Sequence, residues 1–150
     1  MSDDATTIQE LRAQVRRLED MEEIRRLYLD YGQHLDAGDF EAYASLFARD
    51  AKIRLTPALR ADGRDEIRRV ASENITPGHG GRGAVHVIAS PRIDLDGDRA
   101  SGDCVWLAAA IKPDGTPNVM IGRHLDELVR EDGRWRFASR KGVLDVGAIG

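Results

Sequence analysis

The chain has one cysteine, no long apolar run and no excess of positive charge. A single cysteine, Cys104, among 150 residues excludes an intramolecular disulfide framework and leaves no set of thiolates for a zinc site. The apolar runs fall far short of the ~20 residues that cross a bilayer, and the acidic start Met1-Ser2-Asp3-Asp4 lacks the basic and apolar regions of a signal peptide. The sequence therefore predicts a cytoplasmic protein with no membrane partner.

The balance of charges argues against another class of partner. There are 22 Lys and Arg residues against 26 Asp and Glu, a formal net charge of −4, and no basic cluster stands apart from acidic neighbours. Nucleic-acid-binding proteins carry a basic patch, so we expect no nucleic-acid partner. A chain of this length is typical of one domain, which buries roughly 68–70% of its unfolded surface and has room for one internal pocket.

The first third of the chain predicts helices. Apolar residues recur at steps of three and four from Ile8 to Leu35, and Gly38 suits the end of such a helix. Because this helix is long, we expect a break or a packing partner for its early turns. Asp39 is placed to cap a second helix over residues 40–48.

The rest of the chain predicts mainly strands. Alternation over residues 52–55 indicates a short strand that ends at Pro57, and residues 65–74 favour a third helix. Further strands, joined by turn signals, are predicted over residues 84–89, 92–95, 99–110, 119–130 and 134–144. Helices followed by antiparallel strands indicate an α+β domain with the helices packed on one face of a sheet.

Two motifs of cofactor or metal type lack the context they need. The glycine-rich residues 78–83 match the letters of a dinucleotide fingerprint, but they follow a predicted helix and precede a strand. The pyrophosphate would need the N-terminus of a following helix, so we expect a loop over a cavity mouth, with His79 in solvent. Asp30 and His34 share a helix face, yet a closed metal site needs three or four convergent ligands. We therefore expect no cofactor and no metal.

Two remaining residues suit acid–base chemistry. Asp36 lies at the end of the first helix, where the helix dipole disfavours a carboxylate unless a cation or a proton donor meets it. His86 lies among apolar residues of a predicted strand, and a polar ring on an apolar face needs a partner. Taken alone, each is also compatible with a structural role, as a helix cap and as a hydrogen-bonded core histidine.

Short motifs spread along the chain form a set. They are LEDMEEIRRLY (18–28), GDF (38–40), LFARDA (46–51), GRDEI (63–67), DGDRA (96–100) and DGRWRF (132–137). This set resembles the SnoaL-like family of the nuclear-transport-factor-2-like superfamily, over about residues 15–145 of one domain spanning 1–150. The resemblance implies a cystatin-like cone, in which a curved, mostly antiparallel sheet wraps a long N-terminal helix around a pocket.

The resemblance also implies roles for individual residues. The motifs are closest to the branch that holds hexachlorocyclohexane dehydrochlorinase, bile-acid 7α-dehydratase and scytalone dehydratase, which use a His–Asp dyad. The matching positions here are Asp36 and His86, with Tyr31 and Arg140 at two further catalytic positions. His86 would take a proton from a substrate carbon while Asp36 orients it. Arg140 would hold a leaving group or an oxyanion, and Tyr31 would donate a hydrogen bond.

Strand alternation and the resemblance together give an expected lining for the pocket. The expected substrate-binding residues are Tyr28, Val105, Leu107, Met120, His124 and Leu144. Each apolar member could equally be plain core. His124, a second histidine, could contact the substrate or share the proton transfer.

The function implied is that of a lyase without a cofactor, a dehydratase or related β-eliminating enzyme acting on a hydrophobic cyclic or polyketide-like small molecule. Two alternatives stay open. An isomerase or cyclase of the ketosteroid-isomerase kind would depend on a carboxylate without this dyad, and a non-catalytic binding or assembly module would need neither. The family also implies a homodimer or homotrimer.

Overall fold

Three helices lie before a run of four long strands in the computed structural model, which describes residues 3–147. The elements in chain order are α1 (Asp3–Ala37), α2 (Phe40–Ser45), β1 (Phe47–Arg54), β2 (Arg60–Asp62), α3 (Arg64–Asn74), β3 (Val85–Asp96), β4 (Arg99–Ile111), β5 (Pro117–Glu131) and β6 (Arg134–Val146). The expected order of helices and then antiparallel strands is confirmed. None of the helices in this part of the chain is apolar and long enough to cross a membrane.

Helix α1 has two different halves. Its first turns leave their apolar side chains largely in solvent, namely Ile8, Leu11, Val15 and Leu18, which are 49–67% exposed. From Ile24 to Leu35 the apolar face is buried against the sheet. Of the two expected alternatives, the break does not occur, because the helix is continuous over all 35 residues. A packing partner for the early turns remains a prediction. Gly38 ends it with a φ of 73°.

Helix α2 is shorter than the sequence predicts. The Asp39 side chain accepts a hydrogen bond from the Ala42 amide at 3.0 Å, which confirms the expected cap. The helix ends at Ser45 and not at residue 48, because Phe47 pairs with Phe137 in a parallel ladder between β1 and β6. Pairing with a distant strand thus overrides the local apolar spacing.

The six strands form one sheet in the order β2-β1-β6-β5-β4-β3. Only the β1–β6 pair is parallel, and the sheet is curved and unclosed. The strands predicted over 84–89 and 92–95 are a single strand, β3, whose pairing shifts between Ala89 and Arg92 where Ser90 has a φ of 53°. The short strand β2 has no counterpart among the predictions.

The core lies between the second half of α1, α3 and the inner face of the sheet. Its largest apolar members are Ile24, Tyr28, Tyr31, Leu35, Tyr43, Phe47, Ile53, Ile67, Leu128, Trp135 and Phe137. Asp20 holds α1 to the last two strands, since it accepts hydrogen bonds from Trp135 Nε1 at 2.9 Å and Arg130 Nη2 at 2.7 Å. The first buried turns of α1 are therefore fixed next to the sheet.

Candidate active site

A cavity of about 150 Å³ lies between the second half of α1 and the inner face of the sheet. Its lining residues are Tyr31, Leu35, Leu55, Thr56, Leu59, Ile75, His86, Trp106, Ala108, Met120, His124 and Gly142. Most of these side chains are apolar. The residues with polar side-chain atoms are Tyr31, Thr56, Trp106 and the two histidines, and Trp106 Nε1 is buried without a hydrogen-bond partner among the described residues. Within residues 3–147 there is no cluster of three His, Cys, Asp or Glu residues that could hold a metal ion.

Asp36 and His86 meet at the wall of this cavity. His86 Nδ1 lies 2.7 Å from Asp36 Oδ1, and the His86 backbone N–H donates to both carboxylate oxygens at 3.1 Å. Asp36 is 5% exposed, whereas the His86 side chain is 19% exposed and within reach of solvent. When Nδ1–H donates to the carboxylate, Nε2 keeps its lone pair and accepts protons.

Close packing of α1 against β3 brings the two residues together. A Cβ atom at Gly32 would lie 3.3 Å from the His86 carbonyl oxygen and 3.6 Å from its Cβ. Asp36 follows Gly32 by one helical turn on the same face of α1. The absence of a side chain at Gly32 thus lets the end of the helix approach the strand.

The glycine-rich segment touches the same helix end from outside the cavity. The His79 backbone N–H donates to the Asp36 carbonyl oxygen at 2.9 Å, while the His79 side chain is exposed, as predicted. Residues 78–83 form a loop, as expected, and none of them lines the cavity. Gly78 and Gly83 instead pack against backbone atoms at Ala84 and Thr76, where no side chain would fit.

Arg140 lies beside the cavity and not in its wall. It is fully buried, and it donates from Nε and Nη2 to the two oxygens of Asp126 at 2.7 and 2.8 Å. The two residues are register partners on β6 and β5, so each strand supplies one member of the pair. The guanidinium carbon lies 4.2 Å from the centre of the Tyr31 ring and 4.0 Å from that of Phe137. Asp126 binds the Nε and Nη2 donors of Arg140, while Nη1 is buried without a partner among the described residues. The expected contact of Arg140 with a leaving group remains a prediction.

Tyr31 lines the cavity above this pair. Burial raises the pKa of its hydroxyl, and the nearby charge of Arg140 only partly offsets this. The hydroxyl therefore stays protonated at neutral pH and is a hydrogen-bond donor. Tyr31 thus lies in the cavity wall, and its catalytic role remains a prediction.

Four of the expected lining residues lie elsewhere. Tyr28 is fully buried below the cavity with its hydroxyl against Gly102. Val105 and Leu107 belong to the outer face of β4, and Val105 is 41% exposed. Leu144 is 37% exposed, next to the point where pairing between β5 and β6 shifts. Met120 and His124 do line the cavity, as expected.

Trp106 and Ala108 are the β4 residues that line the cavity, and the sequence held a signal for both. Free cysteine is among the residue types most often buried, and Cys104 on the same strand is 1% exposed. Since alternate residues of a strand share a face, positions 106 and 108 follow from position 104. Leu55, Thr56 and Leu59 come from the connection between β1 and β2, for which the sequence gives no such signal.

His124 is buried among aromatic rings in the cavity wall. Its ring is stacked on Trp106 at a centroid distance of 5.8 Å and meets Tyr31 edge-on at 5.4 Å. Burial first, and then the charges of Arg140 and His86, hold the pKa of His124 well below its ordinary value of 6.5. His124 is therefore neutral at pH 7.

Several known proteins share this fold. The SnoaL-like domain family matches residues 16–141. No curated protein sequence gives a significant match. Among solved structures, an NTF2-like protein with a cystatin-like fold from Novosphingobium aromaticivorans is 27% identical with a TM-score of 0.80, over 93% of this chain and 91% of that chain.

Two further structures are enzymes or candidates for one. A scytalone dehydratase candidate from Novosphingobium aromaticivorans DSM 12444 is 26% identical with a TM-score of 0.75, over 88% of this chain and 88% of that chain. A type 3 hexachlorocyclohexane dehydrochlorinase from Novosphingobium barchaimii LL02 is 18% identical with a TM-score of 0.78, over 90% of this chain and 92% of that chain. The expected cystatin-like fold is thereby confirmed.

Proposed function

The chain belongs to the SnoaL-like domain family, and from this premise we propose that it is a lyase that uses His86 and Asp36 on a neutral molecule of one ring. The observation that carries the proposal is the 2.7 Å contact between His86 Nδ1 and Asp36 Oδ1 at the wall of an apolar cavity. A carboxylate that holds one imidazole nitrogen leaves the other free to act as a general base. The similarity to a dehydratase candidate and to a dehydrochlorinase supports this reaction class.

The geometry supports an elimination in which His86 is the base and Asp36 its partner. His86 Nε2 removes a proton from a substrate carbon, and the electrons of that C–H bond form the new double bond. The leaving group departs from the neighbouring carbon with the electrons of its own bond, while the Tyr31 hydroxyl donates a hydrogen bond to it. Asp36 stabilises the imidazolium that forms. The proton then leaves His86 for solvent, so that one molecule of acid or of water is lost overall.

The cavity restricts the substrate. Its volume is about 150 Å³, and an apolar cavity of roughly this size holds a molecule such as benzene. No Lys, Arg, Asp or Glu side chain of the described residues lines it, so a charged substrate would lose hydration without gaining a partner. We therefore favour a neutral, single six-membered ring over a fused multi-ring polyketide.

A screen of small rings tests the proposal. The protein is incubated with 3-hydroxycyclohexanone and with hydroxylated or chlorinated cyclohexanes, and loss of water or of hydrogen chloride is followed by mass spectrometry. We expect His86→Gln to lower kcat/KM by about 10²–10⁴-fold, because the general base is removed. Asp36→Asn should also lower it, since an amide no longer fixes the imidazole tautomer.

The exposed His79 provides the matched control, and His79→Gln should leave turnover unchanged. Full activity in His86→Gln would overturn the dyad. A product of unchanged mass would indicate an isomerase, because the proton then returns to another carbon of the substrate. Rings that bind without conversion by the wild-type protein would indicate a binding module.

A further inference from the structure

His124 lines the cavity, yet it has no role in the proposed elimination by His86, Asp36 and Tyr31. It lies on β5, directly opposite Cys104 of β4 in the sheet register. Only 6% of the residue is exposed, and the rings of Trp106 and Tyr31 fix the plane of its imidazole. Its side chain is therefore both held in place and able to touch a molecule in the cavity.

The surroundings of His124 keep the ring neutral. The titratable and charged groups around it are Tyr31 and Asp36 on α1, His86 on β3, Cys104 on β4, Asp126 on β5 and Arg140 on β6. Arg140 opposes a second positive charge nearby, and Asp126 gives no relief because both of its oxygens are bound to Arg140. A neutral imidazole has one N–H donor and one acceptor nitrogen.

Cys104 determines which nitrogen carries the hydrogen. Cys104 Sγ lies 3.8 Å from His124 Nδ1, and burial raises the pKa of this thiol to about 11, so the sulfur keeps its hydrogen. An imidazole nitrogen accepts better than a neutral sulfur, which is only a weak acceptor. The thiol therefore donates to Nδ1, and the ring hydrogen lies on Nε2, which has no partner among the residues described.

We propose that His124 is a second catalytic residue, whose neutral Nε2–H donates a hydrogen bond to the carbonyl oxygen of a cyclic ketone. This inference rests on the proposed lyase function and narrows its substrate to a ring with a carbonyl group beside the carbon that loses the proton. A neutral imidazole is an effective donor to such an oxygen.

The hydrogen bond strengthens as the reaction proceeds. When His86 takes the proton, the electron pair of the C–H bond moves towards the carbonyl group, and negative charge develops on the oxygen. His124 stabilises that charge. The pair then returns to form the carbon–carbon double bond and expels the leaving group from the β carbon. In this scheme Cys104 and Arg140 are positioning residues. Cys104 fixes the tautomer of His124, and the positive charge of Arg140 helps to keep the His124 ring neutral.

The tautomer can be read without any turnover. Nitrogen-15 NMR of the labelled protein should show His124 with hydrogen on Nε2, unchanged from pH 8 to pH 5, and the His124→Gln spectrum identifies its signals. Cys104→Ser retains a donor beside Nδ1 and should retain the Nε2–H form, whereas Cys104→Ala should increase the Nδ1–H form. A ring that carries hydrogen on Nδ1 in the wild type, or that titrates near pH 6.5, would overturn the inference.

Binding of 2-cyclohexen-1-one, the ketone that dehydration of 3-hydroxycyclohexanone yields, tests the contact itself. The infrared carbonyl stretch of the bound ketone should lie at lower frequency than in cyclohexane. His124→Gln, which offers an amide N–H near the Nε2 position, should keep that shift, and His124→Asn, which offers one near Nδ1, should lose it. An equal shift in both variants would contradict the proposal.

Kinetics with 3-hydroxycyclohexanone distinguishes a catalytic role of His124 from a purely structural one. We expect His124→Asn to lower kcat by about 10²–10³-fold with little change in KM, as for loss of an oxyanion donor, and His124→Gln to retain more of it. Equal activities in the two variants would overturn the inference. If the wild-type protein converts no ring at all, the lyase proposal fails, and the tautomer and the carbonyl shift still decide whether His124 is a donor to ketones.

Discussion

Two neighbouring regions of the interior differ in whether their polar side chains reach the cavity. In the ion-pair layer, formed by Arg140 and Asp126 below Tyr31, both charges are fully buried and joined by two hydrogen bonds. In the cavity, the two histidines each keep one ring nitrogen without a partner among the described residues. The ion-pair layer is closed to ligands yet lies near enough to act on the ionisation of Tyr31 and His124. The difference shows how a buried charge contributes to a site that it does not touch.

The largest effect is expected from breaking the ion-pair layer. Asp126→Ala leaves the Arg140 guanidinium buried without a counter-charge, and we expect a loss of about 3–5 kcal/mol in the free energy of unfolding. Urea denaturation measures it. Arg123 and Asp145 form the matched control, because they make the same two-fold contact at 2.8 and 2.9 Å on the surface. Asp145→Ala should leave the urea midpoint unchanged, and equal losses in the two variants would contradict the comparison.

Truncation of an apolar side chain should cost more stability in the ion-pair layer than in the cavity wall. Phe137 is fully buried against Arg140, so Phe137→Ala should cost about 3–5 kcal/mol of unfolding free energy. Met120 is only partly buried and borders the cavity, so Met120→Ala should cost about 2 kcal/mol, at the low end for this kind of truncation, while it enlarges the cavity. Both values follow from urea denaturation. A larger cost for Met120→Ala than for Phe137→Ala would show that the cavity wall, and not the layer beneath it, holds the interior together.

A third test uses pH. Because His124 has its pKa held well below 6.5 in the folded protein, the unfolded chain binds one more proton than the folded chain once the pH falls below about 6.5. The free energy of unfolding should then decrease with falling pH, by up to about 1.4 kcal/mol per pH unit from this group. His124→Gln removes the contribution of this group to the pH dependence of stability. The difference in stability between wild type and His124→Gln should therefore change between pH 8 and pH 5, and a constant difference would mean that the ring titrates normally.

The smallest effect on the stability of the subunit is expected on the outer face of the sheet. Val85, Val87, Val105 and Leu125 are 41–51% exposed there. We expect copies of the chain to associate through this face as a dimer or trimer. Val105→Asp should then lower the mass seen by light scattering to that of a monomer and change the unfolding free energy by less than about 0.5 kcal/mol. Dissociation by Leu11→Asp instead would place the contact on the first turns of α1.

Local signals carried most of the fold. The capping side chain of Asp39, the glycines at the turns and the alternation of β4 and β5 act within a few residues, so they are visible in the sequence. The end of α2 was not predictable in this way, because Phe47 follows a helical spacing and still joins β6 through Phe137, a residue far along the chain. Non-local pairing leaves no trace in a short window of sequence.

In the candidate site, too, local features could be predicted from the sequence and contacts between distant residues could not. The positions of Asp36 and His86 could be predicted from motifs that many chains share. The partner of Arg140 could not, since Asp126 becomes its neighbour only through the register of β5 and β6. Val105 and Leu107 were predicted to line the cavity, but their neighbours Trp106 and Ala108 do so. Because side chains of a strand alternate between its two faces, a shift of one residue moves a side chain to the opposite face. Such registers are decided by the packing of the whole sheet.

Gly32 has a consequence for how the dyad could vary. It meets no substrate, yet the space it leaves determines how near α1 comes to β3, and Asp36 moves with that helix. A methyl group in its place would act as a wedge of a few tenths of an ångström, and the carboxylate would shift by a similar amount from the imidazole. The size of the residue at position 32, remote from the reacting atoms, thereby determines how closely the Asp36 carboxylate approaches the His86 imidazole.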